Sequence, residues 1–135
     1  NLPVDVAVFA AAVADFKIVN KKDIKIKKQD KLTIELEKNV DILSYVSNHN
    51  FMRPKVVVGF AAETNNLEEN AIEKLRDKNC DMIIGNDVSN KKIGFDRDIN
   101  EVTIFYKNNK KEKLFAKNKS IISDEIVDRV NNQLN

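Results

Sequence analysis

Three segments, residues 4–10, 56–61 and 82–85, are apolar along most of their length instead of alternating with polar positions. Continuous apolar runs of this length suit strands of a parallel sheet covered on both faces. Between them lie amphipathic segments that predict helices. One spans residues 41–48 after a cap at Asn39, and one spans 67–78 after Asn65 and Asn66, with Glu68 and Glu69 near the positive end of its dipole. The order β, α, β, α, β predicts a Rossmann-like, doubly wound, mainly parallel α/β sheet with right-handed crossovers.

A different rhythm occupies residues 24–37. Ile24 and Ile26 alternate with Lys25 and Lys27, and Leu32, Ile34 and Leu36 with Thr33, Glu35 and Glu37. This period of two predicts a protruding antiparallel ribbon that turns near Gln29 and Asp30 and reaches a partner subunit. Its lysine-rich turn has little apolar area to bury, so ordering on dimerisation or ligand binding is expected. Residues 102–106 and 113–116 predict a second antiparallel pair, with residues 107–119 a solvated hairpin. A C-terminal helix follows from about Ser120, with Ile122, Ile126, Val130 and Leu134 as its apolar stripe.

The 135 residues and 42% hydrophobic content suit a single domain, 1–135, with a core of ordinary size. The net charge of +2 is small, and its cations are mostly lysines without the arginine and aromatic grouping of a nucleic-acid face. No run approaches the length of a membrane span, and no basic segment precedes the first apolar run as in a signal peptide. A single cysteine, Cys80, rules out an intrachain disulfide and points to a reducing, cytoplasmic setting. The chain opens with Asn1 and enters a strand almost at once, which suggests a piece of something longer.

With one histidine, His49, and one cysteine, metal centres of the His/Cys type are excluded, and no Gly-x-Ser-x-Gly elbow occurs. Gly59, Gly85 and Gly94 are too scattered to write Gly-x-Gly-x-x-Gly or a Walker loop, so basic side chains would have to hold a nucleotide's phosphates. Lys25 and Lys27 share one side of their strand, and Lys74 and Lys78 one face of their helix. Two aligned ammonium pairs suit a triphosphate; equally, all four are solvated lysines. Asp15, directly after Ala-Ala-Val-Ala, is either a ligand group at a strand end or a loop cap. Phe60 is a core residue or flanks a base, and Glu63 serves Mg²⁺ or caps the next helix.

Five ordered motifs then carry a resemblance. They are Ala11-Ala12-Val13-Ala14-Asp15, Lys25-Ile26-Lys27-Lys28, Lys38-Asn39-Val40-Asp41-Ile42-Leu43, Gly59-Phe60-Ala61-Ala62-Glu63-Thr64, and Asn86-Asp87-Val88-Ser89 with Phe95 beyond. On these the chain resembles the phosphopantothenate-cysteine ligases (phosphopantothenoylcysteine synthetases), the synthetase half of the bacterial bifunctional coenzyme A enzymes. The resemblance implies ligation of phosphopantothenate to cysteine at the expense of CTP, through an acyl-cytidylate, with Mg²⁺ on the triphosphate. It implies CTP contacts at Phe9, Ala10, Ala11, Asp15, Lys25, Val40, Asp41, Ile42, Leu43, Phe60, Lys74 and Lys78, with Lys25 also catalytic, and backbone N–H groups at the start of the 41–48 helix taking part. It further implies a homodimer and a decarboxylase domain in the full-length chain. Val40 replaces the family's usual proline, and the family's glycine-rich amino-terminal segment, with an asparagine that handles the acyl-cytidylate, is absent. That absence accounts for the missing glycine loop. Two other classes stay open on the residues alone: a non-catalytic α/β nucleotide-binding module, and a dinucleotide oxidoreductase fragment, against which the missing Gly-x-Gly-x-x-Gly argues.

Overall fold

A computed structural model describes residues 2–28, 30–89 and 98–135; Gln29, Gly94 and Phe95 fall outside them. The apolar runs form β1 (Val6–Phe9), β4 (Val56–Glu63) and β5 (Met82–Asp87), paired in parallel with Val6 opposite Val56 and Val58 opposite Met82. Two antiparallel strands, β6 (Ile99–Tyr106) and β7 (Lys111–Asn118), extend the sheet to the order β1-β4-β5-β6-β7. The helices are α1 (Ile42–Ser47), α2 (Leu67–Asp77) and α3 (Lys119–Leu134), with β2 (Phe16–Ile18) and β3 (Leu36–Lys38) forming a separate antiparallel pair.

Helices cover both faces, because alternate residues of β4 and β5 point to opposite sides. Val56, Val58, Met82 and Ile84 join Ile104, Leu114 and the α3 residues Ile122 and Val130 in one core. Val57, Ala61 and Ile83 join Ala71 and Leu75 of α2 in the other, with Phe9 and Leu43 packed against it. Met82, Ile83 and Ile84 are wholly buried, which is why their run is unbroken. On the outermost strand the expectation of two covered faces fails: α3 packs over β4, β6 and β7, and Val8 is 52% exposed.

The ribbon also differs from expectation. Its ladder pairs Phe16 with Lys38 and Ile18 with Leu36, and the described residues between 20 and 35 form no strand. Register is set by a buried face, and here there is none: Phe16, Ile18 and Leu36 are all exposed. Closing rungs come from the backbone, where Val19 N–H donates to the Glu35 carbonyl at 3.1 Å and Asn39 N–H to that of Asp15 at 2.8 Å. At the other end of the sheet, the turn between β6 and β7 is tighter than the expected long hairpin, with Asn109 in the left-handed region at φ 65°.

Where α3 crosses β7, Arg129 reaches Glu112 at 2.6 Å, and the Tyr106 hydroxyl donates to the same carboxylate at 3.2 Å. Hydrogen bonding from Arg129, partly opposed by burial, holds Glu112 below the ordinary carboxylate range. Burial, with Glu112 beside it, pushes the Tyr106 phenol up to about 12. A lowered carboxylate stabilises the fold above its unfolded pKa, and that stability is lost as pH falls through the folded one. Wild type should therefore exceed Glu112→Gln in urea midpoint at pH 7 and converge with it as the pH is lowered through the range where carboxylates protonate. A gap unchanged down to pH 3 would show that the carboxylate's charge contributes nothing. Among the described residues, no helix is long and apolar enough to cross a membrane.

Candidate functional site

The site forms where the carboxyl ends of β1 and β4 meet the start of α1 and one face of α2. In parallel α/β sheets this end of the strands is where ligands bind. Asp41, not Asn39, caps α1: its Oδ1 accepts the Ser44 N–H at 2.8 Å. A capping oxygen must reach an N–H in the helix's first turn, and Asn39 lies too far upstream. Its amide instead donates to the Ala14 carbonyl at 2.8 Å and ties the stretch after β1 to the start of α1. Asn66 likewise supplies no side-chain cap to α2; it stands in the left-handed region, and its carbonyl receives the Asn70 N–H.

Gly59 permits the close approach of α1. A Cβ there would lie 2.8 Å from Ile83 Cδ1 and 3.1 Å from Leu43 Cδ2, so Leu43 seats against β4 only because the side chain is missing. Lys74 Nζ donates to the Phe60 carbonyl at 2.7 Å, and Lys78 Nζ meets Asp41 Oδ2 at 2.7 Å. Asp41 stays below its usual range, because hydrogen bonds from Lys78 and Ser44 outweigh the largest single influence, burial, which acts upward. Lys78 is raised, chiefly by its hydrogen bond to Asp41, against burial, with the charges of Asp77 and Asp15 adding to the effect. Asp15, Asp41, Lys74 and Lys78 thus form one electrostatic group drawn from three distant segments.

A buried knot at the amino ends of β4 and β5 fixes α2 under this group. Arg53 donates to the carbonyls of Ser47, Pro54 and Asn79, each at 2.8 Å, and to Asp81 Oδ2 at 2.9 Å. Asp81 also accepts the Val57 N–H at 2.8 Å, and the Ser47 hydroxyl donates to the Lys78 carbonyl. Asn79, at φ 49°, closes α2: Cys80 N–H bonds the Leu75 carbonyl and Asn79 N–H that of Arg76, the paired bonds of a Schellman end. Burial pushes the Cys80 thiol up to about 11, which leaves it unreactive. No residue pattern in the sequence points to Arg53; only its place between α1 and β4 gives it this role.

Of the residues singled out from the sequence, Asp41 and Lys78 pair directly, Lys74 is held on β4 by the Phe60 carbonyl, Phe9 and Leu43 pack against the α2-side core, and Asp15 joins this side through its backbone carbonyl, which accepts the Asn39 N–H. Ala10 and Ala11 follow β1 at its carboxyl end, exposed; Val40 and Ile42 flank the cap, also exposed. Phe60 is divided: its carbonyl faces Lys74, while its ring packs against the α3-side core. Glu63 accepts the Asn70 amide at 2.9 Å and so braces the first turn of α2. Lys25 stands apart. Its exposed segment forms no strand and lies beyond the β2–β3 ladder. Nor do the described residues offer three acidic, His or Cys side chains grouped to hold a metal ion. A separate cleft of about 130 Å³, between α2 and the β6–β7 turn, is lined by none of the residues carried over by resemblance.

Comparison with known proteins places this geometry. Relatives include the coenzyme A biosynthesis bifunctional protein CoaBC of Bacillus subtilis, 42% identical over 93% of this chain and 31% of its own length. The CoaBC of Escherichia coli is 43% identical over 88% of this chain and 31% of its own. The chain thus spans less than a third of these relatives. Among solved structures, the C-terminal domain of a CoaBC superposes with a TM-score of 0.71 at 34% identity, covering 94% of this chain and 53% of that one. The DNA/pantothenate metabolism flavoprotein from Streptococcus pneumoniae shares the fold at TM-score 0.69 and 19% identity, over 97% of this chain and 62% of that one. A family profile, the DNA/pantothenate metabolism flavoprotein C-terminal domain, matches residues 2–134. The chain belongs to that family and corresponds to the C-terminal part of CoaBC.

Proposed function

We propose that this domain acts in coenzyme A biosynthesis as the CTP-dependent ligase that joins phosphopantothenate to cysteine. A phosphopantothenate carboxylate oxygen attacks the α-phosphorus of CTP, pyrophosphate leaves, and an acyl-cytidylate forms. The cysteine amine then attacks the acyl carbon, losing a proton, and CMP leaves. Support comes from one observation above all: Asp41 pairs with Lys78 while Lys74 stands on the Phe60 carbonyl, so three residues that the resemblance assigns to CTP come from separate segments to one side of β4.

In this reading the ammonium groups of Lys74 and Lys78 meet the phosphates. Lys25, from the exposed arm, adds a charge that counts most as negative charge builds on the phosphoryl oxygens. Mg²⁺ would enter bound to the triphosphate, neutralising its charge, because the described residues provide no three-ligand cage and Mg²⁺ is commonly held largely by phosphate oxygens. Ile24, Ile26, Leu32 and Ile34 leave the arm with exposed apolar surface, which fits a homodimer contact in a cytoplasmic enzyme. The bifunctional relatives extend well beyond the region matched here, so a decarboxylase domain belongs to the same reading.

Calorimetric titration with CTP and with ATP, in the presence of Mg²⁺, tests the proposal. CTP should bind in preference to ATP, and Lys25→Ala should weaken it by about tenfold, the value of one charge-assisted contact. Equal binding of the two nucleotides with no response to Lys25→Ala would overturn the assignment.

A further inference from the structure

Two lysines face the proposed phosphate position, and they are held differently. Lys74 is anchored on a backbone carbonyl, that of Phe60. Lys78 is held by α1 at both ends, with Asp41 Oδ2 on its ammonium at 2.7 Å and the Ser47 hydroxyl on its carbonyl. The other oxygen of Asp41 is committed to the Ser44 N–H, so the carboxylate is itself fixed by the helix it caps.

We infer that Asp41 is a positioning residue that acts on nucleotide phosphates through Lys78. An ammonium carries three N–H donors; one goes to Asp41, and two remain for a ligand. A free lysine has as much rotamer freedom to lose as almost any side chain, so orienting it beforehand removes that cost from binding. The inference rests on the phosphate-binding reading above and adds the means by which one of its cations is placed.

Sign separates positioning from simple charge. If Asp41 were only a nearby negative charge, removing it would tighten anion binding; if it positions Lys78, removing it loosens binding. Asp41→Asn suits the test, because asparagine caps a helix about as well as aspartate, and an unchanged melting temperature verifies that the fold is retained. Asp41→Asn should weaken pyrophosphate and CTP about fivefold, and should change neither by more than about twofold when Lys78 is already alanine, the pattern of two residues acting as one. Tighter binding, or an equal loss in both backgrounds, would overturn the inference.

A second readout needs no nucleotide. Acetic anhydride labelling, followed by mass spectrometry, should proceed about threefold or more faster at Lys78 in Asp41→Asn than in the unchanged chain, because its ammonium loses the partner that favours the charged form. Lys74 should label at the same rate in both. An unchanged rate at Lys78 would overturn the pair directly, whereas failure of the unchanged chain to bind CTP or pyrophosphate would overturn the nucleotide reading and leave the labelling result to judge the pair.

Discussion

Replacing Arg53 with alanine should lower the stability of the domain by about 3 kcal/mol, from the range expected when one partner of a buried ion pair is removed, reduced for partial exposure. The side chains of Arg53 and Asp81 are 24% and 20% exposed, so the pair is largely but not wholly removed from water. Alanine would leave Asp81 with only the Val57 N–H and deprive the carbonyls of Ser47, Pro54 and Asn79 of their guanidinium donors. Arg53→Lys should recover less than half, since one ammonium cannot span a fork that reaches α1, the end of α2 and Asp81 together. Urea denaturation at pH 7 measures both. A loss under about 1 kcal/mol for Arg53→Ala would mean that water replaces the guanidinium and that the knot does not hold the helices.

The second large effect is expected at the phosphate-facing lysines. Changing Lys74 and Lys78 together to alanine should weaken CTP by at least about a hundredfold, since hydrogen bonds to charged groups contribute about 1.5–3 kcal/mol each. Stability should change far less. Lys78 and Asp41 are 34% and 38% exposed, and exposed pairs contribute about 0–1 kcal/mol. Calorimetry with CTP, set beside urea denaturation of the same double variant, gives both numbers. Binding reduced less than about fivefold would place the triphosphate elsewhere, with the arm lysines the next candidates.

What the sequence could reveal follows from where the chain is buried. The unbroken apolar runs of β4 and β5 located the sheet's centre, and the spacing of Ile122, Ile126 and Val130 located α3, because each pattern records a face that meets the core. The alternation over residues 24–37 recorded no such face, so it predicted a ladder that the described residues up to 35 do not form, and the one observed joins Phe16–Ile18 to Leu36–Lys38. Caps were misplaced for a related reason. Asn39 and Asp41 both have capping chemistry, and only the three-dimensional position of Ala14 shows that Asn39 is engaged elsewhere. The pairing of Lys78 with Asp41 joins residues far apart in the chain, and nothing local to either marks it. The spacing of Lys74 and Lys78 did show that the two share a helix face.

The three-rung ladder of β2 and β3 has a consequence for how this domain can vary. Because the ladder closes the base of the arm while residues 20–28 and 30–35 remain exposed, the segment beyond it adds little to the core. Loop-closure entropy grows only with the logarithm of length, so lengthening, shortening or rewriting that segment would scarcely disturb the sheet. The clasp separates two roles: the sheet answers to folding, and the arm, with Lys25 on it, answers to the ligand or partner it meets.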